Sequence, residues 1–88
     1  MVIVFVRTLV PAAPGCASHQ PDKPGAVLSS ALAGEWTLAH EIGHVVGLGD
    51  VTDDSRLMFR STAAIATLPP ALSDDDVATI LNSPLVEA

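Results

Sequence analysis

Apolar and polar positions follow three different patterns along this chain. Val2 to Val6 is an unbroken run of β-branched and aromatic residues, the pattern of a strand buried in a sheet. Residues 11–25 break every periodicity. Four of the seven prolines fall there, with Gly15 and Gly25, which predicts a long loop without a helix. AVLSSA, residues 26–31, predicts a second short strand. The spacing then changes. Leu38, Ile42, Val45 and Val46 recur at helical intervals, predicting a helix near 35–48 that Gly47 and Gly49 end. Residues 50–72 show no period. A second helix is predicted near 74–82, with Ser73 as N-cap and three aspartates in the first turn, where the helix dipole favours them. Asp76 stands at the third helical position, a capping-box variant. Val77, Ile80 and Leu81 form the apolar stripe of this helix, and Pro84 stops it. A calcium site built from Asp74, Asp75 and Asp76 is disfavoured, because consecutive helical residues point to different faces. The order strand, loop, strand, helix, irregular segment, helix predicts an α/β (α+β) domain with a short mixed sheet.

With 88 residues the chain is one domain, residues 1–88. A chain this short buries only about 60–65% of its unfolded surface, so its core is marginal and a bound metal would add to it. At 49% hydrophobic and 16% charged residues, the composition excludes disorder. The net charge is −6, with Arg7, Lys23, Arg56 and Arg60 as the only strong bases. Phosphate neutralisation needs a basic patch, so nucleic acid is not an expected partner, and an anionic membrane is disfavoured for the same reason. The start, MVIVFV, is too short to span a bilayer and lacks the basic n-region and cleavage site of a signal peptide. Cys16 is the single cysteine, so no intrachain disulfide forms and disulfides do not reveal the compartment. A monomer is expected.

The chemistry concentrates in HEIGHVVGLGD, residues 40–50. His40 and His44 lie four apart on the predicted helix, about 40° apart around its axis and about 6 Å along it, so two imidazoles can converge on one ion. Zinc is the default for neutral imidazoles with hard anionic ligands. Glu41 is swung about 100° to the side, poorly placed to ligate beside both histidines but well placed to take a proton from water at the metal. A catalytic zinc needs a third protein ligand. On a continuous helix Asp50 would stand about 15 Å from His40 along the axis, beyond the reach of a side chain. The helix must therefore break after His44. Gly47 is the expected hinge and Asp50 the ligand it delivers, with Asp53 and Asp54 as competitors that more readily form the next turn.

This H-E-x-x-H-x-x-G-x-x-D stretch resembles the extended zinc motif of the metzincins, a clan of zinc endopeptidases. Asp50 stands where most members carry histidine, as in the snapalysin-like branch. SRLMF supplies Met58, eight residues after Asp50, similar to the methionine of the clan's Met-turn. LSDDDVATI is similar to the C-terminal helix of bacterial matrixin-like proteins. The resemblance covers about residues 35–82. It implies a zincin-like fold, Zn2+ held by His40, His44 and Asp50, Glu41 as general base, Met58 as a packing floor, and a peptide or protein substrate. It also implies an extracellular bacterial setting. Metzincin catalytic domains are usually longer, with further strands and a helix ahead of the first strand found here, so the expected form is truncated relative to the clan, with a short sheet. The alternative is a non-catalytic zinc-binding domain, a shortened or degenerate metzincin relative.

Three residues remain. Trp36, four residues before His40, is expected on the same helix face as core support, with substrate contact as the alternative. Cys16 is a loop cysteine or a thiol that blocks the metal, as in the latent state of some matrixins. His19, three residues on, is an extra-ligand candidate.

Overall fold

The computed structural model describes residues 1–18 and 22–86. Its elements run β1 (Val2–Val6), β2 (Gly15–Ser18), β3 (Gly25–Ser29), α1 (Thr37–Val45), a 3-10 turn (Thr62–Ala64) and α2 (Asp74–Leu81). The three strands form one mixed sheet in the order β1-β3-β2. β1 runs parallel to β3, with Val4 opposite Val27; the expected buried strand is corrected, because β1 lies at the sheet edge with Val2, Val4 and Phe5 exposed. β2 runs antiparallel on the other side, with Cys16 opposite the same Val27. Alternation along β3 buries Ala26 and Leu28, and α1 packs on β2 and β3. This is the small mixed α/β architecture expected from the pattern of elements, and it is consistent with the truncated zincin-like fold that the resemblance implies.

The predicted loop over 11–25 is corrected: β2 lies inside it. Gly-Cys-Ala-Ser has little intrinsic β-propensity, and its pairing with β3 makes it a strand. Pro14 and Pro24 stand just outside the paired segments and leave the ladder uninterrupted, a position where proline is tolerated.

Helix α1 begins two residues later than expected. Trp36 is its N-cap and is half-buried, so it supports the helix from its entrance instead of from its face. The helix ends at Val45. Gly47 takes φ = +108°, a conformation open to glycine and strained for other residues. The Gly47 N–H donates to the His44 carbonyl at 3.0 Å and the Leu48 N–H to the Gly43 carbonyl at 2.9 Å. These are the two bonds of a Schellman motif, and they turn the chain sharply back. Leu48 is buried by that turn.

Met58 is completely buried beneath α1. A Cβ on Gly43 would stand 2.5 Å from its Sδ, so the glycine lets the segment around Met58 lie directly against the helix. Residues 50–72 are otherwise irregular, as expected, joined by bridges between Val51 and Phe59 and between Arg56 and Ala71.

Helix α2 starts where predicted, with the Ser73–Asp76 capping box formed in full. Its apolar stripe is corrected: Val77 and Leu81 are exposed and Ile80 only half-buried. The anchor is polar instead. One Arg56 guanidinium nitrogen, Nη2, donates to Ser73 Oγ at 3.1 Å and to Asp76 Oδ2 at 2.5 Å.

Candidate metal centre

Helix α1 carries His40 and Glu41, both buried, and the half-buried His44. His40 Nδ1 lies 2.9 Å from the Leu57 carbonyl oxygen, and His44 Nδ1 lies 2.8 Å from that of Leu48. A carbonyl only accepts, so in each ring Nδ1 carries the hydrogen and Nε2 presents its lone pair. The two Nε2 atoms are 3.1 Å apart. Asp50 Oδ1 lies 3.3 Å from that of His40 and 3.0 Å from that of His44.

Three electron-pair donors thus crowd one point. A tetrahedral divalent ion with ligands at about 2.0–2.1 Å would hold neighbouring ligand atoms roughly 3.3 Å apart. The donor set and its spacing both fit such an ion. Among the described residues, His40, His44 and Asp50 are the group of acids, histidines and cysteines placed to hold a metal.

Local sequence accounts for each position. The i, i+4 spacing stacks the two imidazoles on one face of α1, and the turn at Gly47 brings Asp50 back under them. Leu48 serves twice: its N–H closes the helix and its carbonyl orients His44. The Leu57 carbonyl, one residue before Met58, orients His40.

The other candidates fall elsewhere. Asp53 accepts from the Ser55 hydroxyl at 2.6 Å and the Ser55 N–H at 3.0 Å, and those bonds hold its carboxyl below the ordinary aspartate range. It forms the next turn. Asp54 is exposed and outside the metal group. Cys16 is exposed and also outside it, so the reading of Cys16 as a metal ligand is not carried. On β2 it is Gly15 that lies against Glu41. His19 lies outside the described residues.

Glu41 lines a cleft of about 360 Å³ together with His40, His44 and Asp50. Residues 13–17, on and beside β2, form one wall and residues 60–62 the other. A Cβ on Gly15 would stand 3.1 Å from Glu41 Cγ, so the strand and the acid are in close contact. Thr37 Oγ1 lies 3.2 Å from Thr62 Oγ1 and ties the second wall to the helix. Sequence reasoning missed both walls, since β2 was read as loop and residues 60–62 carry no periodic signal.

A helix-borne His-Glu-x-x-His and an aspartate returned by a glycine turn form a possible metal-binding group consistent with a metzincin-like motif. The sequence model of the matrixin peptidases matches residues 18–83, and the chain belongs to that family. Comparison with curated proteins and with solved structures returned no match.

Proposed function

We propose that this chain is a zinc-dependent endopeptidase domain that hydrolyses peptide bonds. One observation carries the reading above the others: three potential ligand atoms converge in a cleft, and a buried glutamate lines the same cleft. His40, His44 and Asp50 would hold the zinc. The ion, when bound, would supply Lewis-acid polarisation of the scissile carbonyl and make nearby water more acidic. Glu41 takes the proton from the attacking water and returns it to the departing amine. A structural site has no use for such an acid and tends to close its fourth position with another ligand.

The substrate is an extended peptide. β2 is hydrogen-bonded to β3 on one side, and residues 13–17 border the cleft. An added strand could pair with the other edge of β2. Met58 then acts as the Met-turn of the clan, a floor that keeps α1 and the metal ligands at fixed height. A secreted setting would suit such an enzyme, and peptide substrates would be its partners.

Glu41→Gln tests the reading. It should leave metal content unchanged and lower the rate of peptide hydrolysis by about 10²-fold or more. Hydrolysis that survives the substitution would remove Glu41 from the chemistry. If the wild type binds zinc tightly and hydrolyses no peptide, the non-catalytic metal-binding alternative would replace the enzyme reading.

A further inference from the structure

Arg56 has an unexpected place. It lies two residues before Met58 and six after Asp50, and its side chain is drawn in toward α2. Nη2 bridges Ser73 Oγ and Asp76 Oδ2, and Nε is buried without a hydrogen-bond partner in the structure. Asp76 in turn accepts from the Ser73 N–H at 3.0 Å, and Ser73 Oγ accepts from the Asp76 N–H at 3.1 Å. The N-terminus of α2 and the Arg56 side chain therefore form one polar knot.

The backbone beside that knot is doubly fixed. The Leu57 N–H donates to the Ala71 carbonyl at 2.9 Å, and the Ala71 N–H donates to the Ser55 carbonyl at 2.9 Å. Residues 55–57 are thus held on two sides, by backbone bonds to Ala71 and by the Arg56 side chain to α2. The next atom in the chain of contacts is the Leu57 carbonyl oxygen, which receives the His40 Nδ1 hydrogen. A ligand histidine is oriented by the bond its other nitrogen makes, and loss of such a bond lowers metal affinity by about 10–100-fold in general.

We propose that Arg56 and Asp76 are positioning residues for the metal ligand His40: their ion pair fixes the Leu57 carbonyl and so couples the C-terminal helix to metal affinity. The proposal rests on the reading that His40 is a metal ligand. His44 is the internal control. Its orienting carbonyl, Leu48, belongs to the α1 turn and makes no bond to the knot.

The test uses the full chain, with Asp76→Asn and Arg56→Lys beside the wild type. Asp76→Asn keeps the side-chain volume and an acceptor for the cap. Arg56→Lys keeps the charge and retains one bond where Asp76→Asn proves poorly folded. Two quantities are measured on samples shown to be folded by circular dichroism. The first is the zinc dissociation constant, by chelator competition. The second, in metal-free protein, is hydrogen exchange of the two imidazole Nδ1–H protons by NMR. Asp76→Asn should weaken zinc binding about tenfold, with a smaller loss in Arg56→Lys. The His40 Nδ1–H should exchange faster while that of His44 stays unchanged. A purely structural role would speed neither proton selectively. Zinc affinity within twofold of wild type, or equal changes at both histidines, would overturn the proposal. If the wild type binds no zinc, the metal reading fails on its own, and the His40 exchange rate still decides whether the pair positions that ring.

Discussion

Gly47 and Gly49 look alike in the sequence and do different work. Gly47 holds φ = +108°, donates to the His44 carbonyl and closes the turn that returns Asp50 to the histidines. Gly49 has no positive φ, and a Cβ added to it would meet no atom within 4 Å. Gly47→Ala should therefore cost about 1–2 kcal/mol in strain and weaken metal binding with it. Gly49→Ala should stay within about 0.5 kcal/mol. Chemical denaturation of the pair reads this directly, and equal losses at both positions would contradict the assigned hinge. At this scale much of the site is legible in the sequence. Helix geometry alone sets where His40, Glu41 and His44 point, and reach alone demands a break before Asp50. What is not legible is the orientation of the two imidazoles. It comes from the Leu48 and Leu57 carbonyls, and a backbone carbonyl leaves no mark in residue type.

Among the elements, the strands and helices that carry strong local patterns fall near their predicted places, and the exceptions share a cause. β2 exists because β3 offers it a partner, so neither propensity nor periodicity announces it. The apolar stripe of α2 misleads because a partly buried Arg56–Asp76 pair holds that helix, leaving Val77 and Leu81 exposed. This polar anchor predicts a pH response. Burial alone would raise the Asp76 carboxyl, but the bonds from Arg56 and Ser73 outweigh it and hold the group below the ordinary 3.8. A carboxyl depressed in the folded state contributes its full stabilisation above the unfolded value. The contribution fades as pH falls through the lower folded value. Asp76→Asn should accordingly be less stable than wild type near neutral pH. The gap should narrow below about pH 4, followed by urea unfolding of the metal-free proteins. A gap that is constant with pH would mean the carboxylate charge is not what anchors α2.

For the whole molecule, the extents of 34 × 33 × 17 Å describe a thin body: one sheet, one helix layer and the segment folded beneath it. Such a body has a small interior. Leu28 and Met58 are its largest fully buried apolar side chains among the described residues, while Val2, Phe5 and Leu81 stand more than half exposed. Domains of ordinary stability hold a margin of about 5–15 kcal/mol. A ligand present at a hundredfold its dissociation constant adds about 2.7 kcal/mol. A bound metal would therefore add to the stability of this fold, because His40, His44 and Asp50 would join α1 to the segment beyond the Gly47 turn through it. The same three residues make the most direct measurement a simple one: the zinc content of purified wild type and Asp50→Ala after dialysis against a mild chelator. The expected result is one zinc per chain in the wild type and its loss in the variant. Zinc absent from the wild type, or retained equally by both proteins, would contradict a metal centre built from two histidines and Asp50.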